Sequence, residues 1–261
     1  MSMRIVIKIG TSTLAHKSGL LNIRRVEGLV KAMSDLKNAG NEIILVSSGA
    51  IGMGAGKLSL ADKPSDIPTK QAAAAVGQCE LMYTYDKLFS EYNHTVAQIL
   101  ITGEDIEHSA RRSNFENTVR RLLELGALPI INENDSIATD EIVIGDNDTL
   151  GAIAATAVNA DLLILLSDIN GLYTADPHKD KNAVLLECVD EITPEIEGMT
   201  GGAGSRFGTG GMATKIKAAK IAVNAGIDMI IANGKDPAVL YDILEGKNVG
   251  TRFTARKDDI K

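Results

Sequence analysis

The stretch Leu128-Pro129-Ile130-Ile131-Asn132-Glu133-Asn134-Asp135, followed further on by Gly145-Asp146-Asn147-Asp148, decides the fold class of this chain of 261 residues. Its apolar start predicts a short buried strand, and apolar residues at helical spacing from Thr149 onward predict a helix. Polar and acidic side chains therefore lie where a strand ends and a helix begins, which is where open α/β sheets bind ligands. Asp148 falls at the predicted N-cap, and helix capping alone explains that residue as well as a functional role does.

Short, β-branched and nearly continuous apolar runs predict strands that are buried on both faces, and such strands usually pair in parallel. They cover residues 5–9, 43–46, 96–101, 128–131, 162–166 and 229–232. Helical segments alternate with them at residues 23–39, 70–92, 113–125, 149–159 and 213–225. The alternation predicts an α/β fold, a three-layer α/β/α sandwich with a mainly parallel central sheet.

Local signals predict how several of these elements end. Gly40, Gly126 and Gly226 each follow a helical segment, as left-handed C-caps do, and Ser113 with Glu116 has the spacing of a capping box. Residues 136–144 resemble a hairpin lying over the strand ends. Residues 52–69 contain two prolines and predict a mobile excursion that covers a substrate or meets a second subunit.

The charges along the chain separate by sign. Residues 122–178 contain acidic residues but no Lys or Arg, whereas residues 198–227 contain no acid but hold Arg206, Lys215, Lys217 and Lys220 among many glycines. A glycine-rich basic loop that enters a helix suits a polyanion, and an acidic segment suits an ammonium group or hydrated magnesium. The pattern predicts a phosphorylated nucleotide on one side and a small cationic or zwitterionic substrate on the other.

Composition excludes several classes of partner. Twenty-seven basic and 34 acidic residues give a net charge of −7, and aromatic residues make up 3% without any Trp, so nucleic acid and anionic membranes are not expected partners. There is no signal peptide and no apolar stretch that could span a bilayer, which predicts a cytoplasmic protein. Cys79 and Cys188 are too few for a disulfide framework and are predicted to be buried free thiols.

Two lysines are the sharpest candidates for chemistry. Lys8 interrupts the apolar run at residues 5–9, so it either reaches a charged partner or a phosphate, or snorkels to the sheet edge. Lys215 falls in the first helical turn after Gly210-Gly211. The run from Gly208 to Ala213 fits a dinucleotide-binding fingerprint only weakly, because a loop rather than a strand is predicted before it. The four histidines show no zinc-like spacing.

Six blocks, taken together and in order, resemble the amino-acid kinase family. They span nearly the whole chain and read Ile7-Lys8-Ile9-Gly10-Thr11-Ser12, Val46-Ser47-Ser48-Gly49-Ala50-Ile51, Ile131-Asn132-Glu133-Asn134-Asp135, Gly145-Asp146-Asn147-Asp148, Gly171-Leu172-Tyr173-Thr174-Ala175-Asp176-Pro177 and Gly208-Thr209-Gly210-Gly211-Met212-Ala213-Thr214-Lys215. Within the family, the longer blocks are similar to those of members that phosphorylate the γ-carboxylate of L-glutamate with ATP, the first step of proline biosynthesis. The resemblance implies the same activity here.

The resemblance also implies roles for individual residues. Ser48, Asp135 and Asn147 would bind glutamate, with Asp135 contacting the α-ammonium. Lys8 and Lys215 would neutralise the transferring phosphoryl group, and Asp148 would hold both lysines. The ATP-binding residues implied in this way are Lys8, Ser167, Asp168, Thr209, Gly210, Gly211, Met212, Ala213, Thr214 and Lys215. Magnesium would be held mainly by ATP and water, so no protein ligand for a metal is expected.

The expected organisation is a single amino-acid kinase domain over residues 1–261, with the amino-acid substrate on the side of residues 1–160 and ATP on the side of residues 161–261. Many similar members carry a C-terminal PUA domain, which is not expected here. The resemblance further implies a homo-oligomer and feedback inhibition by proline. Two alternatives stay open: a kinase for aspartate, N-acetylglutamate, carbamate or UMP, and a non-catalytic amino-acid sensor on the same fold.

Overall fold

The computed structural model describes residues 2–16, 20–60, 62, 64–138, 147–177, 179–199 and 211–255. The described residues form eight strands, β1 (Arg4–Ile9), β2 (Glu42–Val46), β3 (Val96–Ile101), β4 (Leu128–Glu133), β5 (Leu162–Ser167), β6 (Cys188–Val189), β7 (Asp228–Asn233) and β8 (Thr251–Phe253). They also form ten helices, α1 (Thr11–Leu14), α2 (Ile23–Asn38), α3 (Ala50–Lys57), α4 (Ile67–Ser90), α5 (Gly103–Glu107), α6 (Ser109–Glu124), α7 (Asn147–Ala157), α8 (Pro194–Gly198), α9 (Met212–Asn224) and α10 (Val239–Leu244).

The eight strands form one sheet in the order β3-β4-β2-β1-β5-β7-β8-β6. Every neighbouring pair is parallel except β7 and β8, which are antiparallel. The predicted mainly parallel sheet is therefore confirmed. Since β1 lies between β2 and β5, the loops that follow these central strands open at the same edge of the sheet.

Helices cover both faces of the sheet, because successive strand residues point to opposite sides. Val6 and Ile44 face a core shared with α6, α7 and α9. Ile5 and Ile7 face a second core that includes side chains of α2, α4 and α10. The three-layer α/β/α sandwich predicted from the alternating pattern is confirmed.

The six predicted strands and five predicted helices are all observed, with small shifts at their ends. Strands β6 and β8 were not predicted, because two or three residues are too few to show a periodicity. Gly40, Gly126 and Gly226 have φ of 97°, 76° and 77°, which confirms the left-handed helix ends. The capping box at Ser113 is wrong: α6 begins at Ser109, and a capping box instead joins Thr102 to Asp105 at the start of α5.

The predicted excursion at residues 52–69 is wrong over its first part, because α3 extends to Lys57 and packs against α4. A Cβ on Gly54 would lie 1.8 Å from the carbonyl oxygen of Ala73, and a Cβ on Gly77 would lie 1.8 Å from that of Ala50. The two helices therefore meet at backbone distance, which only glycine allows. These glycines serve helix packing and not a loop.

Three further expectations concern the two cysteines, the predicted hairpin and membrane-spanning segments. Cys79 and Cys188 are both exposed, Cys79 on α4 where it lines a cavity and Cys188 in β6 at the sheet edge, so the prediction of buried thiols is wrong. Most of the predicted hairpin at 136–144 lies outside the described residues. No helix of the described residues is long and apolar enough to cross a membrane.

Candidate active site

Lys8 lies near the carboxyl end of the central strand β1 and is only 8% exposed. Its Nζ atom forms an ion pair with Asp148 Oδ1 at 2.6 Å, although the geometry is not that of an aligned hydrogen bond. The sheet edge is out of reach from a central strand, so the snorkelling interpretation is wrong. Gly151 on α7 makes room for the lysine, because a Cβ there would lie 3.3 Å from Lys8 Cβ.

Asp148 lies in the first turn of α7 and is 1% exposed. Its Oδ2 atom accepts a hydrogen bond from Lys215 Nζ at 2.9 Å, so one carboxylate contacts two ammonium groups. Burial alone would raise the pKa of Asp148, but the charges of Lys8 and Lys215 outweigh burial and lower that pKa below its usual value. The N-cap prediction is wrong, because Asp148 is a helix residue whose carboxylate pairs with lysines. We call Lys8, Asp148 and Lys215 the charge centre.

Lys215 is 5% exposed in the first turn of α9, next to a hydroxyl that also contacts the charge centre. The Thr214 hydroxyl lies 3.2 Å from Asp148 Oδ2 and 2.7 Å from the carbonyl oxygen of Gly211. Gly211 precedes α9, Met212 begins it and Ala213 is exposed. Of the residues predicted to bind ATP, Thr209 and Gly210 lie outside the described residues.

A second group of polar side chains, of which Asn132 is buried while Gln78 and Asn147 are half-buried, adjoins the charge centre through Asn147, the first residue of α7. Asn147 Nδ2 lies 2.6 Å from the carbonyl oxygen of Ser47, 2.8 Å from Ser48 Oγ and 3.0 Å from Asn132 Oδ1. Asn132 Nδ2 in turn donates to Gln78 Oε1 at 2.8 Å. We call Gln78, Asn132 and Asn147 the amide cluster, which connects α4, β4, α7 and the end of β2.

Asp135 lies in the turn after β4, beside a cavity of about 380 Å³. The cavity is lined in part by Ala50, Ala74, Gln78 and Gln98. Burial raises the pKa of Asp135 to about 6, and among the described residues no hydrogen bond or ion pair to its carboxylate offsets this cost. A cationic ligand in the cavity would restore the ionised form.

Ser167 and Asp168 follow β5, on the other side of β1 from Ser48. Ser167 is buried and donates to Asp168 Oδ1 at 3.2 Å, whereas Asp168 is exposed. The backbone N–H of Gly234, after β7, donates to the carbonyl oxygen of Ser167 at 2.8 Å. Gly234 was not predicted from the sequence, although its position after an apolar run was a usable signal.

The structure thus brings together several of the residues proposed from the sequence and adds others. Lys8, Asp148 and Lys215 are in contact, as are Ser48 and Asn147. Gln78 was missed because nothing in the local sequence distinguishes it from the other polar residues of α4, and its contact with Asn132 joins residues 54 positions apart. Among the described residues no group of three or more His, Cys, Asp or Glu side chains could hold a metal ion.

The chemistry available here follows from the charges. Two ammonium groups and one carboxylate leave the charge centre with net positive charge in a buried place, which favours an anion such as a phosphoryl group. The amide cluster offers neutral, directional hydrogen bonds, and Asp135 offers a negative charge. Asn147 and Asp148 are consecutive, so an anion and a small zwitterion would bind side by side.

A mainly parallel α/β sheet with two lysines paired to one buried aspartate at its strand ends suits a protein of the phosphoryl-transfer class. The chain belongs to the amino acid kinase family, whose model matches residues 3–233. The resemblance carried by the six sequence blocks is thereby confirmed.

Relatives with high identity share one name. The chain is 54% identical to glutamate 5-kinase of Clostridium perfringens over 99% of this chain and 97% of that protein. It is 56% identical to glutamate 5-kinase of Clostridium tetani over 97% of this chain and 95% of that protein. Glutamate 5-kinase of Moorella thermoacetica is 52% identical over 97% of this chain, a match that covers 67% of the relative.

Solved structures support the fold at much lower identity. A carbamate kinase from Giardia lamblia bound to AMP-PNP superposes with a TM-score of 0.69 at 17% identity, over 97% of this chain and 98% of that one. An isopentenyl phosphate kinase superposes with a TM-score of 0.66 at 18% identity, over 96% of this chain and all of the other. At such identities the likeness concerns the fold alone.

Proposed function

We propose that this protein transfers the γ-phosphoryl group of ATP to the γ-carboxylate of L-glutamate, giving L-glutamyl 5-phosphate and ADP in the first step of proline biosynthesis. The names of the relatives support the reaction. The observation that carries the proposal is that Asn147 and Asp148 are consecutive residues. Asn147 belongs to the amide cluster and Asp148 to the charge centre, so the two groups adjoin at this point. The acceptor and the phosphoryl group would meet at this point.

The reaction needs no general base. A γ-carboxylate with a pKa of about 4.3 is ionised at neutral pH. One of its oxygens forms a bond to the γ-phosphorus while the bond from that phosphorus to the β,γ-bridging oxygen breaks, and the electron pair leaves with ADP. Lys8 and Lys215 would stabilise negative charge on the phosphoryl oxygens. Asp148 would fix the two ammonium groups by its contacts with both.

On the substrate side, Asp135 would bind the α-ammonium of glutamate. Its buried carboxylate gains a counterion in this way, which supports a preference for substrates with a free amino group. Ser48 and Asn147 would orient the γ-carboxylate, since both lie next to the charge centre. N-acetylglutamate lacks the ammonium and should bind poorly.

On the nucleotide side, the phosphates of ATP would bind at the start of α9 and at the end of β5. The residues proposed for this role are Lys8, Ser167, Asp168, Thr209, Gly210, Gly211, Met212, Ala213, Thr214 and Lys215. The N-terminus of α9 and the net positive charge centre suit phosphate oxygens. Magnesium would neutralise further phosphate charge, held by ATP and water, and we assign it no protein ligand.

Four further expectations are part of the proposal. The chain would act as one domain, with the amino-acid site on the side of residues 1–160 and ATP on the side of residues 161–261. It would work in the cytoplasm as a homo-oligomer. L-Proline would inhibit it by presenting its own ammonium and carboxylate to the Asp135 cavity. Turnover that proline leaves unchanged at every concentration would remove this last expectation.

The test is ATP-dependent hydroxamate formation by the purified protein with magnesium. L-Glutamate, aspartate and N-acetylglutamate are compared as acceptors, with ADP release measured for UMP. Product with glutamate alone is the expected result. Product with another acceptor would contradict the assigned substrate, and no turnover with any acceptor would contradict the assigned activity.

A further inference from the structure

We infer that Gln78 binds the α-carboxylate of the amino-acid substrate through its side-chain N–H groups and so selects α-amino acids. The inference rests on the proposed function and adds a specificity-determining residue to it. The reason is that a short chain of hydrogen bonds fixes which end of the Gln78 amide is left to bind a ligand.

The chain of hydrogen bonds begins at a group whose direction cannot change. The backbone N–H of Glu133 donates to Asn132 Oδ1 at 2.9 Å, and a backbone N–H can only donate. Asn147 Nδ2 also points at Asn132 Oδ1, at 3.0 Å. The oxygen of the Asn132 amide is therefore held toward two donors, and its nitrogen must point the other way.

The orientation of the Asn132 amide fixes the orientation of the Gln78 amide. Asn132 Nδ2 lies 2.8 Å from Gln78 and is a donor, so the Gln78 atom that faces it is the oxygen, Oε1. This leaves Gln78 Nε2, with two N–H groups, as the atom without an assigned partner. In the part of the chain that the structure describes, no acceptor contacts Gln78 Nε2.

A substrate carboxylate bound in the cavity needs N–H donors of this kind. Gln78 lines the same cavity as Asp135, together with Gln98 and Asn134, and among the described residues no Lys or Arg lines it. The α-carboxylate and the α-ammonium of glutamate are bonded to the same carbon, so both must be bound in one small region. With Asp135 on the ammonium, the carboxylate requires a neutral donor, which Gln78 Nε2 provides.

The test compares two acceptors and two variants. L-Glutamate and 4-aminobutyrate share the γ-carboxylate and the amino group, but 4-aminobutyrate lacks the α-carboxylate. Gln78→Glu keeps an oxygen to accept from Asn132 and replaces the N–H groups by a second carboxylate oxygen. Gln98→Glu is the matched control, because it adds the same charge to the same cavity without the contact to Asn132.

We expect Gln78→Glu to lower kcat/KM for L-glutamate by about tenfold to a hundredfold, mainly through KM, because a hydrogen bond to a charged group is lost and a like charge is added. The kcat/KM for 4-aminobutyrate should change by less than about threefold, a limit set below the effect of losing one such bond. Both values come from ADP release at glutamate or 4-aminobutyrate concentrations far below saturation, so weak binding does not prevent the measurement. Gln98→Glu should leave the ratio of the two values near that of the unmodified protein.

Two results would overturn the inference. An equal loss for both acceptors in Gln78→Glu would assign Gln78 a structural role only. A loss of glutamate preference in Gln98→Glu as large as in Gln78→Glu would assign the effect to charge at a distance. Failure of the proposed function looks different, since the unmodified protein would then turn over neither glutamate nor 4-aminobutyrate.

Discussion

The charge centre and the amide cluster are neighbours in the structure, yet different forces hold them. Lys8, Asp148 and Lys215 are held by ion pairs, and burial of these charges is tolerated because both ammonium groups contact the Asp148 carboxylate. Asn132 and Asn147 are held by neutral hydrogen bonds whose direction is fixed by backbone groups. In the proposed reaction the first region would therefore respond to charge that develops on the phosphoryl group, whereas the second would recognise the shape of the ligand beforehand.

The largest expected effect comes from removing one ammonium group of the charge centre. Lys215→Ala should lower kcat by about 100- to 1000-fold, the usual loss when one preorganised donor to a developing negative charge is removed. Steady-state ADP release at saturating glutamate measures it. Lys217→Ala is the control, because Lys217 is an exposed lysine of the same helix and should leave kcat unchanged.

Equal turnover in Lys215→Ala and Lys217→Ala would contradict a role for the charge centre in the reaction. It would also remove the difference in function between the two neighbouring regions.

The next effect concerns Asp135, whose carboxylate we propose as the partner of the substrate's α-ammonium. Its pKa is about 6 in the free protein, because burial disfavours the charged form. Since the α-ammonium binds the ionised form, kcat/KM for glutamate should fall about tenfold for each pH unit below 6. A pH profile of kcat/KM measures this, and kcat at saturating glutamate should fall less, because the bound ammonium stabilises the carboxylate.

The raised pKa of Asp135 affects stability and activity in opposite directions as the pH changes. The pKa of Asp135 is higher in the folded protein than in an unfolded chain, so its contribution to the free energy of unfolding is largest below about pH 4 and is lost as pH rises through about 6.

Asp135→Asn should abolish the acid limb of the pH profile of kcat/KM. An unchanged acid limb in that variant would assign the titration to another group.

The smallest expected effect concerns Gly151, which packs against the Lys8 side chain. Gly151→Ala adds a Cβ 3.3 Å from Lys8 Cβ, so the lysine must shift by a few tenths of an ångström. We expect kcat to fall by about three- to tenfold, since misplacement of a group on this scale slows an aligned reaction. The melting temperature should change little, because a better helix former offsets the tighter packing.

Gly198→Ala is the control, since a Cβ at Gly198 would meet no atom within 4 Å. Unchanged kcat in Gly151→Ala would mean that the position of the Lys8 stem is not critical. A large fall in melting temperature would assign the effect to the core instead.

Most of the fold could be predicted from the sequence, because buried parallel strands are apolar along their whole length. The strand that contains Ile5 and Ile7 is an example, since both faces of β1 are covered by helices. What could not be predicted depends on distant partners. Gly54 lies in a stretch that was predicted to be a mobile excursion, and only the close contact between α3 and α4, which Gly77 also makes possible, explains it.

The site was predictable to a different degree in its two regions. Lys8 stood out because a lysine in a buried strand needs a counterion, and Asp148 provides it. The local sequence of Asp148 suits an N-cap equally well, and only the family resemblance pointed to its contact with Lys215, which lies 67 residues further on. Gln78 gave no signal, since the amide gains its direction only through Asn132.

The binding of L-glutamate to Lys215→Ala and to Asn147→Ala, measured by calorimetry without nucleotide, tests the division between charge centre and amide cluster most directly. Asn147→Ala should weaken glutamate binding by about tenfold or more, because Ser48 and Asn132 lose a shared partner. Lys215→Ala should bind glutamate as the unmodified protein does. Weakened binding in Lys215→Ala together with unchanged binding in Asn147→Ala would contradict the separation of phosphoryl transfer from amino-acid recognition.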